Sequence, residues 1–342
     1  MSRSAGGGFR CLPLTGIGEV AAGADLGALL SRALEIADGD ILVVTSKVVS
    51  KAEGRVVAGE RGPAVAGETD RVVARRAGTS IVRTHHGLVL AAAGIDASNT
   101  DPGTIVLLPL NPDSSARALR ERVGANGGPN VAVVVTDTLG RAWRNGQVDI
   151  AIGAAGIEVL HDYAGMPDGY GNLLEVTAPA VADEIAGAAD LAKGKLDGTP
   201  AAVVRGLGHL VTAPGVHGSG ASALIRDEGQ DMFGYGTREA VLQALHQDPL
   251  AQRGFGAAAS SEEMVAALRG CCPDAGVRVA EGGAARVDVL LTGSASPPAQ
   301  RALGADEARV TAVAFAMGWR VAQAPVAEAG PDVVLRFSAP SP

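Results

Sequence analysis

Residues 130–147 read NVAVVVTDTLGRAWRNGQ. The run from Asn130 to Val135 has almost no polar position on either face, which predicts a strand covered on both sides and not one with a wet face. It passes straight into Thr136–Gln147, where hydroxyls, an aspartate, two arginines and two amides crowd together. This stretch is expected to be a polar loop at the end of a buried strand. The same motif occurs upstream. Asp25 can cap a helix carrying Leu26, Leu29, Leu30 and Leu34 at helical spacing, and Asp38-Gly39-Asp40 turns the chain into a buried strand, Ile41–Val44. Thr45–Gly54 then follows as a second polar loop.

Further out, the pattern predicts a helix near Thr69–Ala77, strands at Ser80–Thr84 and Leu88–Ala93, and a strand at Thr104–Leu108. A helix opened by Pro112 and Asp113, a helix over Ala178–Lys193 and a strand over Pro200–Arg205 come next. Glycines crowd residues 206–220 and mark a connection. Beyond Asp231 the spacing gives helices at Thr237–His246, Ser260–Arg269 and Asp306–Met317, with short strands at Val287–Leu291 and Val333–Phe337. The expected division is therefore a domain over residues 1–230 and a small α+β unit over 231–342.

Composition narrows the function. The 342 residues carry a net charge of −8 and only two Trp, three Tyr and five Phe. The chain thus lacks both the basic field and the stacking platforms that bind polynucleotides, and no nucleic-acid partner is expected. A small anionic ligand is still allowed, because local backbone N–H groups or a cation can hold it. No stretch of about 18 uncharged apolar residues is present, so no membrane span is expected. Residues 1–8 lack an apolar signal core, which points to the cytoplasm. Cys11, Cys271 and Cys272 form no CxxC and read as incidental.

Three clusters concentrate polar chemistry. In Thr45–Lys51 hydroxyls alternate with ammonium groups, as phosphates require. Gly94–Asn99 carries Asp96, and Asp137 is followed by Thr138. Two carboxylates gathered at strand ends suit Mg²⁺, which takes one or two of them plus substrate phosphates, although aspartates in such places also serve turns. Arg141, Arg144 and Asn145 suit an anionic substrate beside them, or a solvated surface. There is no P-loop, no GxGxxG after a strand and no HExxH.

Taken together, DGDILVVTSKVVSKAEGRV (38–56), AAAGIDASN (91–99), VVVTDTLGRAWRNGQVDIAIGAAGI (133–157) and VADEIAGAADLAKGKLDGTPAAVVRGL (181–207) resemble the coenzyme F-420 gamma-glutamyl ligases. The likeness runs in order from about Leu12 to Leu207. It implies an intertwined α+β ligase fold, a homodimer, and a reaction that adds L-glutamate to the phospholactate side chain of a deazaflavin precursor at the expense of GTP. An acyl phosphate would form first, and later glutamates would be γ-linked. It also implies Mg²⁺ or Mn²⁺, with K⁺ as a further ion. Carried over position by position, Asp96, Asp137 and Thr138 fall on the metal site. Ile17, Gly18, Glu19, Val20, Ser46, Lys51, Asn99, Lys193, Gly194 and Lys195 fall on GTP contacts. Arg141, Arg144, Asn145 and Gln147, within the run G-R-x-W-R-N-G-Q, are read as groups for the substrate's phosphate or glutamate. Some relatives continue into a flavin-dependent reductase. Here the tail is short, only Ala302–Trp319 resembles a nitroreductase helix, and no FMN is expected. The competing reading is a protein that binds GTP or the deazaflavin without turnover, though loss of a metal aspartate would be expected first, and both are present.

Overall fold

The computed structural model describes residues 8–98, 100–279, 286–292, 296–327 and 332–339. The chain divides into two compact units, Met1–Ile225 and Arg226–Pro342. In the first, the order is β1 (Arg10–Pro13), α1 (Leu26–Ala33), β2 (Ile41–Thr45), α2 (Ser46–Ala52), β3 (Val56–Ala58), α3 (Arg61–Gly67), β4 (Thr69–Arg76), β5 (Thr79–Thr84), β6 (Val89–Ala91), β7 (Thr104–Val106), α4 (Pro112–Gly124), β8 (Ala132–Arg141), β9 (Arg144–Ala155), α5 (Val181–Lys193) and β10 (Ala201–Arg205).

Among the described residues a five-stranded sheet forms the centre, in the order β1-β10-β2-β8-β9. Only β2 and β8 run parallel; β10, β1 and β9 join antiparallel. The period of two along these strands divides them cleanly. Leu42, Val44, Val133, Val135 and Val203 pack with Leu30 of α1 and Leu119 of α4. Ile41, Val43, Ala132, Val134 and Val204 pack on the other face with Ile185 and Ala189 of α5. Both faces are covered, which is why these strands are apolar at every position. The architecture is mixed α and β, as the sequence pattern predicts at that level.

Two corrections bear on the site. Residues 45–54, expected as a loop, contain helix α2, because Val48 and Val49 reach the core and the seven-residue turn can pack beside β2. Residues 136–147, expected as a loop, are the two arms of a hairpin, with Ala142-Trp143 at its tip and Trp143 at φ 65°. A third misreading lies elsewhere: Thr69–Arg76 is strand β4, paired to β5 and, through it, to β6, and not the helix expected there. Its adjacent β-branched Val72 and Val73 suit a strand, and pairing outweighs the helical spacing.

The second unit has α6 (Thr237–His246), α7 (Ser261–Cys271), β11 (Gly276–Val279), β12 (Arg286–Leu291), α8 (Pro297–Ala316), β13 (Arg320–Ala327) and β14 (Val333–Ser338). Its strands form an antiparallel sheet ordered β11-β12-β14-β13. Met264, Leu268, Val289, Trp319 and Phe337 fill its core, and the buried indole of Trp319 donates to the Ala259 carbonyl at 2.9 Å. Helix α8 begins at Pro297, nine residues before the expected start, since proline is well suited to the first helical turn. Among the described residues no helix is long and apolar enough to cross a membrane.

Candidate functional site

The register of β2 on β8 runs from Ile41↔Ala132 to Thr45↔Thr136. Because these two strands are parallel, their ladder stops at one edge, where β2 ends and β8 runs on as the hairpin arm, and the next residues, Ser46 and Asp137, meet there. Ser46 Oγ donates to Asp137 Oδ1 at 3.2 Å. Burial is the main cause that raises the Asp137 carboxyl, to about 7. The Thr138 N–H and Ser46 hydroxyl oppose that rise, and the charges of Asp149 and Asp96 add to it. Asp137 is a carboxylate short of positive charge, facing two others.

Asp96 reaches this edge from beside the two-stranded antiparallel sheet of β3 and β7. Its backbone is bonded to Val106 of β7 in both directions, at 3.1 and 2.8 Å. Just before it, Ala92, Ala93 and Gly94 all take positive φ, at 51°, 55° and 69°. Two left-handed alanines are costly, and such strain persists where the surroundings fix it. Gly94 is required twice over, since a Cβ there would also sit 2.9 Å from Leu108 Cδ1. Beyond the turn, Asp96 accepts the Ser98 N–H (2.7 Å) and hydroxyl (2.9 Å), and pairs with Lys47 at 2.5 Å. Burial pushes the Asp96 carboxyl up, but the Lys47 ammonium and the Ser98 donors outweigh it and hold it low.

A third carboxylate, Asp149, lies directly across the hairpin from Thr138. Its Oδ1 accepts the Thr138 hydroxyl at 2.6 Å and Lys195 Nζ at 3.2 Å; its Oδ2 accepts the Thr136 hydroxyl at 3.1 Å and Lys193 Nζ at 2.9 Å. Burial opposes ionisation, yet the Thr138 hydroxyl and the two lysines hold it at about 2. Gly194, at φ 65°, closes α5 and turns the chain so that Lys193 lies inside and Lys195 returns from the solvent side to Asp149, Thr138 (3.1 Å) and Asp190 (2.8 Å).

The segment between β1 and α1 is pegged to the core at every third residue by Leu14, Ile17 and Val20, leaving Gly18 and Glu19 exposed. Glu19 pairs with the buried end of α2 through Lys51 Nζ at 2.5 Å. The structure thus gathers Ser46, Asp137, Thr138 and Lys195 around one edge, with Asp96 close enough to bear on Asp137, and it joins Glu19 to Lys51. Arg141, Arg144, Asn145 and Gln147 lie farther out. They occupy the exposed end of the hairpin, starting about 7 Å beyond Thr138 along the strand with Gln147, and Arg141 donates to the Asn145 carbonyl at 2.7 Å. Asn99 lies outside the described residues.

Among the described residues no three His, Cys, Asp or Glu side chains gather as a metal cage. The donors present suit a different arrangement: two carboxylates, Asp96 and Asp137, and the Thr138 oxygen, whose own proton is committed to Asp149. A hard cation such as Mg²⁺ takes that few protein oxygens when substrate phosphates and water complete its shell. The sequence pattern put Lys47 among the phosphate-type donors of Thr45–Lys51 but gave no sign of its pairing with Asp96, and could not place Asp149. A hairpin assignment for residues 132–155 would have brought Asp149 to the neighbourhood of Thr138, though the two register shifts of β8–β9 keep the exact partner from being counted off the sequence.

The sequence pattern that defines the F420-0:Gamma-glutamyl ligase family matches residues 16–62 and 60–206. Among similar proteins, the Coenzyme F420:L-glutamate ligase of Archaeoglobus fulgidus is 41% identical over 57% of this chain and 86% of its own length. That of Methanopyrus kandleri is 40% identical over 63% of this chain and 93% of its own. That of Methanothermobacter thermautotrophicus is 37% identical, with coverages of 66% and 97%.

Proposed function

This chain belongs to the F420-0:Gamma-glutamyl ligase family and is a ligase; from that premise we propose that it joins L-glutamate to a deazaflavin precursor in a reaction driven by GTP and a divalent cation. The carboxylate of the precursor's phospholactate arm attacks the γ-phosphorus of GTP, GDP leaves, and an acyl phosphate results. The glutamate amine then attacks the acyl carbon, phosphate leaves with the electron pair of the C–O bond, and an amide is formed. Repetition on the γ-carboxylate just added lengthens the tail.

The observation that carries this reading is the buried Asp137 carboxylate where the β2–β8 ladder ends, bonded to Ser46 and within electrostatic reach of Asp96, with Lys47 on Asp96 and Lys195 on the adjoining Thr138. Asp96, Asp137 and the Thr138 oxygen would hold Mg²⁺ or Mn²⁺, which supplies charge neutralisation at the phosphates. Lys195 and Ser46 orient the phosphates from the chain's side, and Lys51, held by Glu19, supplies a further donor at the mouth of the first loop. Such fixed donors act on charge that moves during phosphoryl transfer without having to reorganise. Arg141 and Arg144, on the exposed hairpin end, offer forked donors to the precursor's phosphate or to glutamate.

Assembly is part of the same reading. Trp143, Tyr170 and Val176 are 86%, 96% and 92% exposed, and we assign them to burial against a second copy in an intertwined homodimer.

The decisive experiment incubates the full chain with GTP, Mg²⁺ or Mn²⁺, L-glutamate and glutamate-free deazaflavin precursor, and follows product mass and GDP release. A gain of one glutamate per GDP supports the ligase. GTP binding with no mass gain would favour the non-catalytic alternative instead.

A further inference from the structure

Lys193 and Lys195 stand two residues apart, yet they occupy opposite environments. The Lys193 side chain is 1% exposed and that of Lys195 is 58% exposed. Both ammonium groups reach the same carboxylate, Asp149, whose side chain is 3% exposed. Each of its oxygens receives one hydroxyl and one ammonium, from Thr136 and Lys193 on Oδ2 and from Thr138 and Lys195 on Oδ1. That leaves Asp149 with four donors and no oxygen free to bind a cation.

The charges explain why two lysines are needed. A lone Asp149 facing Lys195 would neutralise it, and an isolated carboxylate would be expensive to bury. Lys193 compensates Asp149 from the interior, so no buried charge is stranded, and Lys195 is held between Asp149 and Asp190 with its ammonium at the exposed rim, where a phosphate can reach it. Lys193 itself has no route to an arriving nucleotide: its ammonium is enclosed, with Asp149 and Thr136 (3.3 Å) as partners. The Thr138 hydroxyl is fixed by the same carboxylate: its proton goes to Asp149, one lone pair accepts Lys195 Nζ at 3.1 Å, and the other remains.

We propose that Asp149 is a positioning residue of the nucleotide site: it holds the Lys195 ammonium and the Thr138 hydroxyl where the polyphosphate of a nucleoside triphosphate arrives, and Lys193 is its buried counter-ion, not a phosphate ligand. This rests on the reading of the α5–β10 connection as part of a GTP site, and it divides the three residues Lys193, Gly194 and Lys195 into separate roles.

The test compares K195M, D149N, K193M and the double variant D149N/K193M in the full chain, reading melting temperature, GTP binding by calorimetry with and without Mg²⁺, and KM for GTP against kcat. D149N and K193M each strand one buried charge and are expected to lose melting temperature. The double variant, nearly isosteric and uncharged, recovers it but still binds GTP about tenfold more weakly, the loss of one charge-assisted hydrogen bond. K195M weakens GTP binding similarly in the wild-type background and less than about twofold in the double variant, because the ion pair with Asp149 that helps fix Lys195 is gone and Asp190 is then its one carboxylate partner among the described residues. Recovery of GTP affinity together with melting temperature in the double variant would assign the pair to the fold alone and overturn the proposal. So would a double variant that does not fold, or a K195M chain with unchanged GTP affinity. A wild-type chain that binds GTP and forms no amide overturns the ligase reading, while the binding series still decides the role of Asp149; a wild-type chain that binds no GTP overturns both.

Discussion

Asp137 and Asp149 sit on adjacent strands of one hairpin, and their surroundings push them in opposite directions. Burial and two neighbouring carboxylates raise Asp137 to about 7, above the ~3.9 of an unfolded chain, so ionising it costs the metal-free fold. That cost is absent below about pH 4 and complete above about pH 7. Asp137→Asn should therefore raise the melting temperature of chelator-treated protein at pH 8, leave it nearly unchanged at pH 4, and abolish ligation. A loss of melting temperature at pH 8 would contradict this account of the site. Asp149, held at about 2 by its hydroxyl and lysine partners, behaves in the reverse sense. Its contribution is fully present above about pH 4 and is lost as pH falls toward 2, so the stability gap between wild type and Asp149→Asn should close on acidification. Thermal melts at pH 7 and pH 2.5 check it.

The elements that carry these residues were legible to different degrees, and the reasons are physical. Helix α1 and strand β2 follow from local signals: the Asp25 carboxylate accepts the Ala28 N–H at 3.0 Å, and β2 is an unbroken apolar run. The aspartates of the site were also visible as polar residues after apolar strands. What could not be read was pairing at a distance. Hairpin β8–β9 needs the register Thr138↔Asp149, and no local pattern announces a strand in Arg144–Ala155, whose outer half is polar because it projects beyond the core. Helix α2 was obscured for a similar reason: Ser46 and Lys47 are taken up by Asp137 and Asp96, and Val48, Val49 and Ala52 are all that mark its inner face in so short a segment. Two substitutions separate scaffold from positioning at this scale. Leu42→Ala, in the wholly buried middle of β2, should cost about 2–5 kcal/mol by chemical denaturation while folded protein keeps its turnover. Gly94→Ala should cost less stability, about 1–2 kcal/mol from the left-handed φ plus the repacking of Leu108, yet lose much more turnover, because the turn that aims Asp96 must shift. Equal proportional effects on both readouts would remove the turn's special role.

For the whole molecule, the two units bury separate cores. The clusters around the central sheet and under β3–β7 are built from residues up to Ile225, and the other core runs from Met264 to Ala339. The family match ends at residue 206, so every residue placed at the site and every matched motif belongs to the first unit. Ile225 packs against the central core, which means that a cut must leave it in place. A chain ended after Gln230 should accordingly melt in one cooperative transition and retain GTP-dependent addition of glutamate within about twofold of the full chain, since the core around the sheet is built from the first unit's own residues. Size measurement alongside the assay shows whether the shortened chain keeps the full chain's oligomeric state. Loss of turnover with the fold and assembly intact would instead make residues 231–342 a working part of the ligase, and their arginine-bearing sheet, with Asp288 held between Arg286 at 3.1 Å and Arg336 at 3.7 Å, would be the first place to look for the group that it supplies.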